Sequence, residues 1–400
     1  MSFEDAVRLV LNQHVNTETE VIPLQESLGR FSAEVIASPI DSPPFDKSAM
    51  DGYAVAAGDD SQEFTVLETL AAGERPTQSV KKGYCSRIMT GAMIPEGTGK
   101  VVRVEYTESS GDTMRITTPE PYENIIFRGE NLKRGDPFFP VKQISPGDIG
   151  SLAASGIDRV PVHRQLRVAV LTTGSELREP GTALNPGEIY NSNGYQLKGQ
   201  IVRAGALPIS FGSIPDDRRI HEEVLAEALE TCDLVLLSGG VSMGSFDYVP
   251  ETLARLGVDI MIHGILVKPG RPTLFGRRGD TFVFGLPGNP VSSFLLFEVL
   301  VRPFIHHLMG TVYRPAVRQG ILAETIRRRD TERLEFRPVR IQYEDASYLF
   351  MDNPDRQKVF PVRYKGSSHL NAMVEAEGII LMNPGIKQLE EGTLVNVRLL

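Results

Sequence analysis

Between Asp216 and Thr231 the apolar residues Ile220, Val224, Leu225, Ala228 and Leu229 recur at helical spacing, which predicts an amphipathic helix. On either side the pattern changes to short, unbroken apolar runs. Val168 to Leu171, Leu207 to Phe211 and Leu234 to Leu237 read as buried strands, with further strands over Ile260 to Val267 and Thr281 to Leu286. Asn191 to Ala204 and Asp247 to Leu256 supply further helices. A long apolar helix is expected to open at Pro290 and to run to about Arg302, before Pro303. Strands alternating with helices predict an α/β domain with a mostly parallel sheet. The loops at the strand ends of such a sheet converge on one edge, where ligands bind.

The flanking patterns differ. Phe3 to His14 carries helical spacing, with Ser2 as N-cap and Asp5 three residues on. Val21 to Ala37 reads as strand, short helix and strand, and Asp148 to Ala154 as a helix leading to another strand. Between them, from Phe64 to Thr118, short alternating runs separated by Gly and Pro predict a small β-rich domain. It reads as an insertion in a mostly helical platform. Past Tyr313 helical periodicity vanishes, and Glu335 to Ile341, Phe360 to Val362 and Leu394 to Leu399 predict a β-barrel or sandwich. The expected division is a platform at about 1–43 and 140–163, an inserted β-rich domain at about 44–139, an α/β domain at 164–312 and a β domain at 313–400.

Composition narrows the class. The chain has 400 residues, too many for one core, and is 41% hydrophobic and 23% charged, as expected of a globular protein. A net charge of −9 argues against a nucleic-acid binder, and means an anionic ligand must be drawn in by local donors. The two cysteines, Cys85 and Cys232, lie far apart and outside any metal-ligand spacing, which suggests a reducing compartment. The opening residues lack a signal-peptide pattern and no apolar run approaches a membrane span, so a cytoplasmic protein is expected.

The candidate chemistry sits in the strand-end loops. Thr172-Thr173-Gly174-Ser175-Glu176, Ser238-Gly239-Gly240 continuing to Asp247, and Leu286-Pro287-Gly288-Asn289-Pro290 all follow strands of one sheet. Glycines let backbone N–H groups approach an anion, and each loop alone also reads as an ordinary turn. Asn289 as N-cap and Pro290 inside the first turn favour a preorganised helix N-terminus facing an oxyanion. Lys268-Pro269-Gly270-Arg271-Pro272 adds two cations on a rigid turn. Glu176, Asp216 and Asp247 suit Mg²⁺, which takes one or two carboxylates with waters and substrate phosphates. Asp216 and Asp247 read equally as helix caps, and Asp51 beside Gly52 as a turn former. Thr90 stands in a Gly-punctuated loop of the β-rich section.

Taken in order, Pro43 to Val55 (PPFDKSAMDGYAV), TGAMIPEG, TTGSEL, SGGVSMGSFDY, KPGRP and GLPGNPVS resemble the molybdopterin molybdenumtransferases, the MoeA and gephyrin E-domain family. The resemblance spans almost the whole chain. It implies a homodimer with a helical platform, an inserted β domain, a molybdopterin-binding α/β domain and a C-terminal β-barrel. It also implies Mg-dependent insertion of molybdate into adenylylated molybdopterin with release of AMP, and names the molybdopterin adenylyltransferase as a candidate partner. By motif, Asp51 and Thr90 match positions reaching the site across the dimer interface. Glu176, Asp216, Asp247 and Lys268 match the acidic and basic residues of the cleft, with Asp216 and Asp247 as metal ligands. Gly174, Ser175, Ser238, Gly239, Gly240, Arg271, Pro287, Gly288, Asn289, Pro290 and Ser292 match its binding loops. Ser367 and Ser368, with a nearby arginine such as Arg337, match the barrel's contribution. Two positions depart from the pattern of some members: Asn131 replaces a carboxylate, and Gly264 stands where a second basic residue precedes the KPG turn. Two other readings stay open: a molybdopterin adenylyltransferase, and a non-enzymatic dimeric scaffold.

Overall fold

The computed structural model describes residues 1–215, 217–241, 249–343, 357–363 and 366–400. Two compact units are distinguished: Met1–Glu20, Gly29–Ala33 and His163–Leu400 form the larger, and Val21–Leu28 with Glu34–Val162 the smaller.

In the larger unit, α1 (Phe3–Leu11) precedes an α/β region made of β1 (Arg167–Thr173), α2 (Ser192–Arg203), β2 (Leu207–Ile214), α3 (Arg218–Thr231), β3 (Leu234–Ser238), α4 (Val249–Arg255), β4 (Asp259–His263), β5 (Val267–Lys268), β6 (Leu274–Arg278), β7 (Thr281–Leu286), α5 (Pro290–Leu296) and α6 (Arg302–Leu308). Six strands form one sheet in the order β2-β1-β3-β7-β6-β4. The first four run parallel, as the sequence predicts, and β6 runs antiparallel between β7 and β4.

All of β3 is buried because helices cover both faces of the sheet. Its alternate residues enter separate cores. Leu234 and Leu236 join Val168, Val170, Phe282 and Phe284 under α2 and α5, while Val235 and Leu237 join Ala169, Leu171 and Val283 under α3 and α4. Ala6 and Val10 of α1 pack into the first core.

Two expectations are corrected. The apolar helix does not stop before Pro303: a π turn at Phe297–Val301 joins α5 to α6, and Pro303 lies in the first turn of α6. The π turn widens the helix ahead of the proline, so neither the missing N–H nor the ring breaks it. This rod is apolar and long enough to cross a membrane, but 78% of its most apolar window is buried, which makes it a core element. The second correction concerns Ile260 to Val267, which is not one strand. β4 ends at His263, the chain turns, and β5 leaves the α/β sheet to pair with a strand of the next region.

That region contains β8 (Val317–Leu322), β9 (Leu334–Tyr343), β10 (Gln357–Pro361), β11 (Gly378–Met382) and β12 (Leu394–Leu399). The order β9-β10-β8-β12-β11, with β11 returning to β9, closes a barrel around Leu322, Val339, Ile341, Val359, Ile380 and Val397. β5 adds to it in parallel, with Val267 opposite Leu334 and Lys268 opposite Glu335.

The smaller unit holds a six-stranded sheet in the order Thr98–Arg103, Gly52–Ala56, Tyr84–Ile88, Glu63–Leu70, Thr113–Ile116, Thr107–Ser110. It also holds the helix Pro146–Ala154, opened by a reciprocal cap between Ser145 and Asp148.

Candidate active site

The carboxyl ends of β1, β3 and β7 open on a cleft of about 910 Å³, walled on the barrel side by Ser368, Leu370 and Asn371. The three strand-end loops touch through backbone. Gly239 takes φ +99°, and a side chain there would meet Thr173 Oγ1 at 2.6 Å. The Glu176 carboxylate folds back over Gly174, 2.6 Å from where a Cβ would stand. Gly239 is therefore required by close approach to Thr173, and Gly174 by its φ of +147°, since the Glu176 side chain could move aside.

The first turn of α2 ties these loops together. Asn191 caps the helix by accepting from Gly194 N–H, while its amide donates to Thr172 Oγ1 and Ser213 Oγ, each at 3.0 Å. Asn193 donates to Ser238 Oγ at 2.7 Å and to the Gly288 carbonyl at 2.8 Å. The ends of β1 and β2 are thus joined by one asparagine, and the loops after β3 and β7 by the other. Both line the cleft, and sequence reasoning assigned neither a role. The available signal was two asparagines at a helix start, which ordinarily means a cap alone.

Of the candidate residues, Gly174, Glu176, Ser238, Gly239, Gly240, Pro287, Gly288, Asn289, Pro290 and Ser368 come together in this cleft. Ser175 is exposed beside Glu176, and Ser292 is buried in the first turns of α5. Asn289 occupies the N-cap position of α5, but its side chain makes no capping bond. The Val291 N–H donates instead to the Ser367 carbonyl at 3.0 Å, so this helix start also anchors the barrel loop.

Arg271 lines a neighbouring cavity of about 430 Å³ with Met1, His263 and Pro272, and Pro272 also borders the cleft. Lys268 does not line the cleft wall. Its ammonium lies 3.5 Å from Glu335, a fully buried carboxylate that also receives Arg337 at 3.2 Å and has Arg328 at 3.9 Å. Asp216 and Asp247 lie outside the described residues. The adjacent Asp217 caps α3, accepting from the Arg219 and Ile220 N–H groups. Among the described residues no three His, Cys, Asp or Glu converge as a metal site.

Asp51 and Thr90 belong to the smaller unit. Asp51 Oδ1 accepts from the Thr90 N–H at 2.6 Å and from Thr90 Oγ1 at 2.7 Å. These bonds hold the Asp51 carboxyl below its ordinary value of 3.8, the backbone bond contributing most. Thr90→Val removes the hydroxyl donor and is expected to raise the Asp51 pKa toward 3.8. A carboxyl depressed in the folded state contributes stability above its unfolded pKa, lost as pH falls through the folded value. The wild-type contribution therefore disappears only below about pH 3.8, the ordinary value. A side-chain carboxyl NMR titration checks this, and an unchanged Asp51 midpoint in the variant would refute it.

Comparison with known proteins covers the whole chain. The MoeA N-terminal region (domain I and II) matches residues 1–156, a probable molybdopterin binding domain matches 169–307, and the MoeA C-terminal region (domain IV) matches 320–400. The molybdopterin molybdenumtransferase of Haemophilus influenzae is 34% identical over 387 residues, covering 95% of this chain and 94% of the relative. That of Bacillus subtilis is 31% identical over 414 residues, covering 99% and 93%. The crystal structure of the molybdopterin biosynthesis moeA protein from Pyrococcus horikoshii OT3 matches with a TM-score of 0.84 at 29% identity, covering 100% of both chains.

Proposed function

The chain belongs to the MoeA family of molybdopterin molybdenumtransferases, and from this premise we propose that its cleft binds adenylylated molybdopterin and inserts molybdate with release of AMP. Its place as a transferase of molybdenum cofactor biosynthesis rests on family membership; the substrate form, the metal and the residue roles are our reading. The observation carrying that reading is the joining of three glycine-bearing strand-end loops with the barrel's Ser368 loop around one cleft.

The backbone at Gly240 and Gly288 would receive phosphate oxygens, since both residues line the cavity without a side chain, while the Gly239 N–H is held by the Leu286 carbonyl. Water would add to the adenylyl phosphorus and the bond to the molybdopterin phosphate oxygen would break, giving AMP and the terminal phosphate. Glu176, exposed at the cleft mouth, would position the substrate. Its oxygen donors suit a hard cation, and Asp216 and Asp247 are the proposed magnesium ligands by motif. Magnesium would supply charge neutralisation at the phosphoanhydride. Molybdate would sit toward the barrel, near Ser292, Ser368 and Lys268. Lys268 keeps 37% of its side chain exposed, so it could reach an oxyanion while resting against Glu335. Asp51 and Thr90 would be supplied by the second subunit of a homodimer, in a cytoplasmic enzyme that receives its substrate from the adenylyltransferase. The proposed domain order is platform, inserted β domain, α/β domain and barrel, with the boundaries given above.

The test is reconstitution. Purified protein mixed with adenylylated molybdopterin, molybdate and Mg²⁺ should release AMP and yield cofactor that activates an apo-molybdoenzyme, and Glu176→Gln should slow both. Supplying molybdopterin and ATP instead should give no adenylyl transfer. Transfer in that mixture, with no insertion in the first, would overturn the proposal in favour of adenylyltransferase activity.

A further inference from the structure

Three amides of α2 face the rod formed by α5, the π turn and α6. Asn193, Gln196 and Gln200 lie at helical spacing on one side of α2, and Arg203 continues the row. Asn193 donates to the Gly288 carbonyl, Gln196 to the Pro290 carbonyl at 3.0 Å, and Gln200 to the Phe294 carbonyl at 3.2 Å. Gln200 also donates to the Glu298 carboxylate at 2.7 Å, and Arg203 and Arg302 neutralise that buried group. Each amide meets a carbonyl, so its nitrogen, not its oxygen, must face the rod. Gln200 bonds across the change of register, to Phe294 ahead of the π turn and to Glu298 within it.

This arrangement is an expensive way to pack two helices. The oxygens of all three amides are buried with no hydrogen-bond partner among the described residues. An unpaired buried acceptor lowers stability, and a methionine in the same space would avoid the loss. The rest of the contact is apolar: Val291, Leu295 and Leu296 are fully buried with Leu197 and Ile201 of α2 in one core. That packing decides which side of the rod faces α2, because a shift of one residue turns a helix by about 100° and would carry the apolar side out of the core. Burial is not directional, so it sets the height of the rod along its axis only loosely. Donors aimed at particular carbonyls set the height.

We propose that Gln196 and Gln200 are positioning residues for the reaction: they fix the height of the rod and, through it, the place of Gly288 and Pro290 in the cleft. Gly288 and Pro290 line the cleft, and neither glutamine does. The loop after β7 has little room to move, since a Cβ on Gly288 would stand 3.5 Å from Gly239 Cα. The rod is also tied to the barrel at two points. The Val291 N–H donates to the Ser367 carbonyl, and Arg398 donates to the Glu298 carbonyl. The amides thus hold in one register the loop that receives phosphate and both barrel attachments. This inference rests on the reading of the cleft as the place where the phosphoanhydride is broken.

Gln196→Met and Gln200→Met, singly and together in the full chain, remove the donors and the unpaired oxygens at nearly constant volume. The Phe294 carbonyl keeps the Phe297 N–H, and Glu298 keeps Arg203 and Arg302. The melting temperature should therefore equal or exceed that of the wild type. Hydrogen–deuterium exchange at the Gly239 and Val291 amides should quicken by about tenfold, since these N–H groups bond to Leu286 and Ser367 on either side of the loop. In the reconstitution, kcat for AMP release should fall about tenfold or more with KM within about twofold of wild type, because a misplacement near 1 Å costs up to about a hundredfold. A contact that only packs helices gives the opposite pattern, a lower melting temperature with kcat preserved. The proposal is overturned if kcat stays at the wild-type value, if exchange at both amides is unchanged, or if kcat falls only together with the melting temperature. If the wild type itself releases no AMP, the proposed reaction falls, and exchange with melting temperature alone decides whether the amides set the loop.

Discussion

Glu335→Gln is expected to cost about 3–5 kcal/mol of stability, the range found when one partner of a buried ion pair is removed. The carboxylate is fully buried and faces Arg337, Lys268 and Arg328 together. The decisive partner is Arg328, whose side chain is 1% exposed. Its guanidinium donates to the carbonyls of Ile386, Arg333 and Asn383, which satisfies its hydrogen bonds but brings no negative charge. Removing the carboxylate therefore leaves a buried cation without its counter-charge. Lys268→Gln should cost under about 1 kcal/mol, because that side chain is partly solvated and screened. Urea denaturation of the two variants checks the contrast. Equal losses would mean that water, not Glu335, neutralises Arg328. The pairing matters for function because Lys268 and Glu335 lie opposite each other where β5 joins the barrel. A change at Glu335 should accordingly weaken the link between the α/β region and the barrel loop that completes the cleft.

The parts legible in the sequence are those set by local pattern. Leu234 to Leu237 is an unbroken apolar run because helices bury both faces of β3, and such a run shows without any structure. The edge to which the loops converge follows from parallel strands alone. What escaped depends on contacts distant in sequence. Lys268 looked like a cation on a rigid turn, since its buried partner lies 67 residues away. Ile260 to Val267 looked like one strand because hydrophobicity does not say which sheet a residue joins. Pro303 looked like a stop because a π turn leaves no mark in the apolar pattern. Asn193 was hidden for a similar reason: its two acceptors lie 45 and 95 residues further along the chain.

Asn193→Asp should show what that residue does for the cleft. The amide donates to Ser238 Oγ and to the Gly288 carbonyl, while its Oδ1 is buried with no hydrogen-bond partner among the described residues. An ionised carboxylate in the same place would lose both donors and set a charge against the Gly288 carbonyl. Leaving a buried acceptor unpaired costs about 1–3 kcal/mol, so about tenfold to a hundredfold loss of insertion rate is expected near neutral pH. Burial and the facing carbonyl should raise the new carboxyl above the ordinary value of about 3.9. The sign then follows from linkage: the folded state binds the proton more tightly, so the penalty is absent below the unfolded pKa and grows as pH rises through the folded value. Activity of the variant, relative to wild type, should fall with increasing pH, whereas Asn193→Leu should show a loss independent of pH. Measuring kcat and KM across pH, alongside thermal unfolding, separates a fault in loop spacing from general instability. A spacing fault lowers kcat at pH values where the melting temperature is still that of the wild type. Wild-type kcat in Asn193→Asp at pH 8 would show that the loops after β3 and β7 keep their spacing without this asparagine.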